Sequence, residues 1–405
     1  MTGYKKRGIS GVLVNALDNM PVVVLSGMRQ TGKSTLLVNE PALRKRRYVN
    51  LDDFNTLEAF RRNPENFLST GDSITIDEAQ KLPEILTVIK QFVDRKRRAG
   101  QFLLSGSANF LLLKNIAESL AGRAVYLTLY PFTRREISGR AKENPALVHF
   151  INKGSFPETK AKPVTQKEIM DGGMPAIALK EVRDSHVWFR GYEQTYLERD
   201  IRSLSQVADL VQFRNLLQLL ALRNGQILKQ SELARDAKLN VMTTSRYLAL
   251  LETSFVIMRL PPYLRNRSSR LVKSPKIYIT DSGLAGYLTA IKKTGLTGPL
   301  TGMMWENYVA QNLQGILASH YPEATLTYWN VQGRYEVDFI LEIDHEPIAI
   351  EVKSNSRWQE NDLTGLKAFL KTTPKCRAGI LAYNGHEVLK LDKKLWAVPL
   401  HILLY

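Results

Sequence analysis

Short apolar runs separated by helically spaced stretches dominate the first third of the chain. Val22-Val23-Val24-Leu25, Ser73-Ile74-Thr75-Ile76 and Phe102-Leu103-Leu104 are too short for buried helices and sit between polar turns, which predicts strands. Their alternation with helical segments is the βαβ order of a parallel sheet, so an α/β unit is expected over residues 1–135. Pro131 and the charged stretch to Lys167 mark a change, read as a lid or connector over 136–185 that ends near Gly172-Gly173-Met174-Pro175. From Trp188 to Leu260 apolar residues recur every three or four positions, and a helical unit is expected over 186–300. The remainder, 301–405, alternates again: helix Trp305–Ala318, strands Tyr335–Ile343 and Ile348–Lys353, helix Leu363–Leu370, strand Ala378–Ala382.

Within the helical unit, Ser231 to Ala237 reads as a helix capped by Ser231, Lys238-Leu239-Asn240 as a tight turn, Val241–Thr253 as a second helix and Phe255–Leu260 as a strand. That order predicts a winged helix-turn-helix. Leu248, Leu250 and Leu251 would pack inward, leaving Thr243, Thr244, Arg246 and Tyr247 for a groove or for phosphates. The same unit could instead make subunit contacts.

Composition narrows the setting. A single cysteine, Cys376, excludes an intramolecular disulfide and fits a reducing, cytoplasmic compartment. Gly11 to Leu25 is interrupted by Asn15, Asp18 and Asn19, so neither a signal peptide nor a membrane span is expected there. With 56 Lys and Arg against 39 Asp and Glu, the formal charge of +17 attracts polyanions. Nucleic acid, DNA in particular, is the expected partner; a merely basic protein and anionic lipid are the alternatives. The positive charge clusters at Arg44-Lys45-Arg46-Arg47, at Arg95-Lys96-Arg97-Arg98 and across Arg265, Arg267, Arg270, Lys273 and Lys276.

The first predicted strand runs into Gly27-Met28-Arg29-Gln30-Thr31-Gly32-Lys33-Ser34-Thr35 and then an apolar helix, which is the context a phosphate-binding loop requires. The glycines let successive backbone N–H groups converge on the β-phosphate of ATP at a helix N-terminus. Lys33 reaches the β and γ oxygens, Ser34 ligates Mg²⁺ through its hydroxyl, and Thr35 lines the first helical turn. The strand before Asp77-Glu78 supplies the second half: Asp77 holds Mg²⁺ and Glu78 orients the attacking water. Ser107, closing Leu104-Ser105-Gly106-Ser107, is placed like the γ-phosphate sensor of AAA-type ATPases, or closes a serine-rich turn. Arg123 is either an arginine finger for a neighbouring subunit or one half of an in-domain salt bridge.

In the last unit, Asp338 precedes Glu351-Val352-Lys353 by thirteen positions on adjacent predicted strands. Alternate residues of a strand share a face, so Glu351 and Lys353 project together toward Asp338. Asp338 and Glu351, with Glu306 from the preceding helix, would bind Mg²⁺ for phosphodiester cleavage, and Lys353 would stabilise charge. Alternatively the fold keeps its acids and only grips nucleic acid.

Together these motifs, with Asn50-Leu51-Asp52-Asp53, Gly172-Gly173-Met174-Pro175, Tyr196-Leu197-Glu198-Arg199-Asp200, Lys276 to Leu284 and Glu336-Val337-Asp338-Phe339, resemble a bacterial and archaeal family of AAA-type ATPases with a C-terminal domain of unknown function. The resemblance covers nearly the whole chain. It implies an α/β P-loop AAA-type core, a winged-helix middle segment and a restriction-endonuclease-like PD-(D/E)XK end. Two functions are expected: an oligomeric ATP-driven enzyme that processes branched or broken DNA, or a regulatory ATPase whose nucleotide state controls a protein partner. The assigned roles predict different defects. Lys33→Ala should abolish ATP binding, whereas Glu78→Gln should bind ATP and hydrolyse it slowly; equal loss of binding in both, measured by nucleotide affinity and turnover separately, would refute them.

Overall fold

The computed structural model describes residues 3–69, 72–106, 120–200, 210–264, 273–290, 298–331 and 333–405. Its first sheet joins β1 (Val22–Ser26), β2 (Arg47–Asn50), β3 (Ile74–Asp77), β4 (Phe102–Ser105) and β5 (Ala124–Thr128) in the order 2-3-4-1-5. Every pair is parallel. Alternation along the strands sends Val22, Val24, Ile76 and Leu104 to one apolar core with the helices Phe54–Arg62 and Ile85–Arg95. Val23, Leu25 and Leu103 face the other core, shared with the helices Ser10–Asn19 and Lys33–Asn39. Covered on both faces, the sheet keeps its polar chemistry for the carboxyl ends of its strands, where β1 and β3 deliver the loop and the paired acids.

The helical unit contains Leu210–Leu222, Gln230–Asp236 and Val241–Thr253, followed by an antiparallel pair, β6 (Ile257–Leu260) and β7 (Lys276–Ile279). Ser231 lies inside the helix Gln230–Asp236, whose start has no side-chain cap, while the next helix is capped by Asn240, its Oδ1 accepting from Thr243 N at 2.7 Å. Thr244 and Tyr247 are buried, so they do not face a groove as their polarity suggests. The Thr244 hydroxyl donates to the Asn240 carbonyl, and Tyr247 meets Phe213 edge to face.

The last unit is a six-stranded mixed sheet of β8 (Thr325–Val331), β9 (Tyr335–Ile343), β10 (Glu346–Lys353), β11 (Ala378–Tyr383), β12 (Leu389–Asp392) and β13 (Leu395–Pro399), ordered 12-13-11-10-9-8. The helix Pro299–His320 lies on one face and Thr364–Thr372 on the other. The face under Pro299–His320 shares one continuous apolar core with the helical unit, and Met28 of the phosphate loop belongs to it.

One buried carboxylate knits the units together. Asp281, capping the helix Ser282–Leu288, accepts from Leu284 N at 2.9 Å and from Gly173 N at 2.7 Å. The Gly173 carbonyl in turn accepts from Phe132 N at 2.8 Å. A β-carbon on Gly173 would stand 2.3 Å from the Phe132 carbonyl oxygen and 2.3 Å from Gln311 Nε2, so only glycine fits between the segments. Gly173→Ala should therefore lower the thermal midpoint, at a cost on the order of 1–3 kcal/mol. Gly191→Ala, in the helix Ser185–Tyr192 with open space at the same atom, should leave the midpoint unchanged or raise it. Equal effects of the two substitutions would contradict this junction.

Candidate functional site

The loop after β1 is shaped by three residues in the left-handed half of backbone space, Gly27, Gln30 and Gly32. At Gly27 a β-carbon would stand 2.3 Å from the Leu129 carbonyl oxygen, which only glycine avoids. Inside the loop the Lys33 ammonium donates to the carbonyls of Gly27 (3.1 Å) and Met28 (2.9 Å), and the Thr31 hydroxyl to Met28 O at 2.8 Å. Burial pushes the Lys33 pKa down to about 8, against the raising effect of Glu78 and Asp77.

Several contacts fix the loop from outside, and its motif predicts none of them. Arg7, nearly fully buried, donates from Nη1 to Thr31 O at 2.8 Å, from Nη2 to Tyr130 O at 2.6 Å and from Nε to Glu136 Oε1 at 3.1 Å. Its guanidinium also stands 4.1 Å over the Phe132 ring. Pro175 reaches the loop at Gly32, where a β-carbon would lie 3.8 Å from its Cγ. Tyr192 donates to Arg29 O at 3.5 Å, and the Arg29 guanidinium sits 5.7 Å from the Tyr196 ring. Met28, 1% exposed, is packed in the core that holds Phe189, Tyr192 and Tyr196.

Asp77 closes β3, fully buried, with both carboxylate oxygens engaged. Ser105, at the end of the neighbouring strand β4, donates to Oδ1 at 2.6 Å, and Tyr48 from β2 donates to Oδ2 at 2.8 Å. Ser105 and Tyr48 are thus the described hydroxyls on this acid, while Ser107 lies outside the described residues. Glu78 follows with φ of +55°, uncommon for a residue with a side chain, and accepts from Gln80. Burial raises its carboxyl above the usual range. Lys33 therefore lies within reach of the Asp77 and Glu78 charges at the carboxyl ends of β1 and β3, with Ser34 beside it in the first turn of its helix, and an ammonium, a hydroxyl and carboxylates together suit a nucleoside triphosphate with Mg²⁺. Arg123 stands at the amino end of β5, at the opposite edge, and pairs with Asp94 (Nε to Oδ1 2.5 Å).

The acids of the last unit also converge, with a surprise at their centre. Asp338 lies where β8 and β9 slip register, a bulge that turns its side chain so that Oδ2 accepts from Val352 N at 2.9 Å. Glu351 accepts from Lys353 at 2.8 Å. Among the acids sits the Lys276 ammonium, 2.6 Å from Glu336, 3.1 Å from Glu306 and 3.4 Å from Asp338. Tyr278 donates to Glu306. Burial, and then the Asp338 charge, raises Glu306 to about 7 and Glu351 to about 8. Among the described residues no group of three or more His, Cys, Asp or Glu is arranged to hold a metal ion. The expected metal set of Glu306, Asp338 and Glu351 is corrected accordingly: a lysine, counted from sequence as part of a basic surface, is turned inward among them. Arg265, Arg267 and Arg270 lie outside the described residues.

Family models divide the chain into an AAA domain over residues 19–138, a domain of unknown function (DUF8612) over 163–295 and a second (DUF4143) over 301–403. Uncharacterized proteins of Mycobacterium tuberculosis and Mycobacterium bovis are each 33% identical over 401 residues, spanning 98% of this chain and 83% of theirs. An uncharacterized protein of Haemophilus influenzae is 23% identical over 379 residues, 86% of this chain and 87% of its own. Among solved structures, a Walker-type ATPase of Pyrococcus abyssi aligns at 18% identity and a TM-score of 0.44, covering 71% of this chain and 99% of that one.

The depressed Lys33 pKa carries a pH signature. Without ligand the ammonium loses its proton near pH 8, and phosphate oxygens beside it would restore the charge, so binding above that pH takes up a proton. ATP affinity should be flat below about pH 8 and weaken by roughly tenfold per pH unit above it, until the pKa of the bound state is passed. Calorimetry near pH 9 in two buffers of different ionisation enthalpy should register the uptake. Binding without proton uptake would contradict the buried state of Lys33.

Proposed function

The chain belongs to the family of those mycobacterial proteins and is an AAA-type P-loop ATPase that takes ATP with Mg²⁺, and from that premise we propose that it couples ATP hydrolysis to the handling of DNA, branched or broken DNA included. The observation that carries this reading is the position of the phosphate loop. Met28 and Arg29 lie against the helical unit while Lys33 lies beside Asp77 and Glu78, so the loop cannot rearrange around phosphates without moving its neighbour. In this reading Lys33 binds the β and γ oxygens, Ser34 and Asp77 hold the ion, and Glu78 orients the water. Mg²⁺ supplies neutralisation of phosphate charge. Arg123 would leave Asp94 to complete the site of a neighbouring copy, which makes the active form a homo-oligomer.

Support for a nucleic-acid partner comes from where the basic clusters meet. Arg46 donates to Gly100 O at 2.6 Å and Ile74 O at 2.7 Å, and Arg97 to Gly122 O at 3.2 Å. These bonds bring Arg44 to Arg47 and Arg95 to Arg98 together at the amino end of β3, β4 and β5, with Arg44, Lys45, Arg95 and Lys96 exposed. The edge away from the nucleotide is thus a broad cationic surface matched to a phosphate backbone. The helix-turn-helix with its β6–β7 pair is read as a winged helix, and the last unit as a restriction-endonuclease-like domain that grips nucleic acid while Lys276 fills its acids. A protein partner is the second reading, favoured by Val241 and Met242, 51% and 83% exposed at the start of the second helix, where a phosphate-contacting helix would carry polar groups.

ATP turnover with single-stranded, duplex, forked and four-way DNA separates them. DNA should stimulate turnover and lose its grip with salt, with a log-log slope of about −0.9 per phosphate neutralised. Charge reversal at Arg44, Lys45, Arg95 and Lys96 should flatten the slope. No binding and no stimulation by any form at ~50 mM salt would sink the DNA reading.

A further inference from the structure

Asp77 ends β3 on the face of the first sheet that carries the helix Lys33–Asn39, because Ile74 and Ile76 take the opposite face. The neighbouring strand β2 runs parallel with Asn50 beside Asp77, and its Val49 enters the same core as Ile76. Alternation therefore places Tyr48 and Asp77 on one face, where the Tyr48 hydroxyl donates to Asp77 Oδ2 at 2.8 Å. A carboxylate offers about four acceptor sites, two on each oxygen. Both sites on Oδ1 are taken, by the Ser105 hydroxyl at 2.6 Å and the Glu78 N–H at 3.1 Å. On Oδ2 Tyr48 takes one, so the described residues leave a single site open. Ser105 is buried, whereas Tyr48, on the edge strand of the sheet, is 38% exposed, so Tyr48 is the side-chain donor to this acid that meets solvent.

We propose that Tyr48 is a positioning residue for the Mg²⁺ that accompanies ATP: holding one lone pair of Asp77 Oδ2, it turns the other, the site left open, toward a water of the ion. The inference rests on the reading of Asp77 as an ion-holding group. Without the phenol hydroxyl, Asp77 keeps its bonds on Oδ1, but no described group holds Oδ2, and its lone pairs spread over a range of directions. Ordering them when the ion arrives then counts against metal affinity, as the loss of an outer hydrogen bond to a metal-holding carboxylate does elsewhere.

Binding of a non-hydrolysable ATP analogue to the full chain, titrated in chelator and then at rising free Mg²⁺, tests it. Tyr48→Phe should bind the analogue in chelator as the parent does, but need about tenfold more free Mg²⁺ for half of the metal-dependent tightening. ATP turnover should shift along the Mg²⁺ axis by the same factor, and excess Mg²⁺ should recover most of it. Asp77→Asn should lose most of the tightening. If Asp77→Asn tightens as the parent does, the reading of Asp77 is overturned and this inference with it. If Asp77→Asn loses the tightening while Tyr48→Phe keeps the parent's Mg²⁺ requirement, or needs less, the inference alone is overturned: the hydroxyl is then a bystander, or a competitor of the ion. Loss of analogue binding already in chelator, or of the fold, would give Tyr48 a structural role only and overturn it as well.

Discussion

A phosphate-binding loop must hold its backbone N–H groups convergent before any phosphate arrives, and a glycine-rich segment has no side-chain packing of its own to do so. In this protein the rigidity comes from outside the loop. Arg7 takes Thr31 O, Lys33 folds back on the carbonyls of Gly27 and Met28, and Met28 is sunk in the core of the helical unit. For Lys33 to bind phosphates as proposed, its ammonium must turn away from the Gly27 and Met28 carbonyls, and Met28 is pinned on the far side. Chemistry and architecture meet at that point.

The same logic repeats farther along the chain. Gly172-Gly173 and Asp281 are far apart in sequence, yet one carboxylate accepting backbone N–H groups fixes the segment at Gly173 to the helix Ser282–Leu288. Burial raises Asp281 to about 6 despite those bonds, so its charge at neutral pH is maintained at a cost in free energy. At the third junction Lys276 enters the acids of the last unit. Each boundary is thus sealed by a buried polar group with defined partners, which specifies one arrangement more sharply than apolar contact alone.

The phosphate loop and the paired acids were legible in the sequence because each is spelled by contiguous residues on a strand and the turn that follows it. Helix Val241–Thr253 and strand Tyr335–Ile343 were legible for the same reason, their periodicity being local. Strands β2, β5, β7, β8, β12 and β13 were missed: β2, β7 and β12 have only four residues and β13 five, and β5 and β8 carry exposed or polar positions that dilute the alternation. Arg7 and Tyr48 gave no signal, since each acts on a residue at least two dozen positions away, and of the hydroxyls that end β4 the sequence reading singled out Ser107 where Ser105 meets Asp77. Lys276 misled, because charge counting takes every lysine for surface. Thr244 and Tyr247 misled similarly, the Thr244 hydroxyl being satisfied within the helix and the Tyr247 ring packed on Phe213.

Backbone hydrogen exchange, followed along the full chain with and without ATP and Mg²⁺ in the Glu78→Gln form, tests the central claim most directly. If the loop is gripped by the helical unit, nucleotide should change protection in Gly172–Pro175 and Ser185–Tyr196 as well as in Gly27–Thr35. Changes confined to the loop and the ends of β1 and β3 would contradict it.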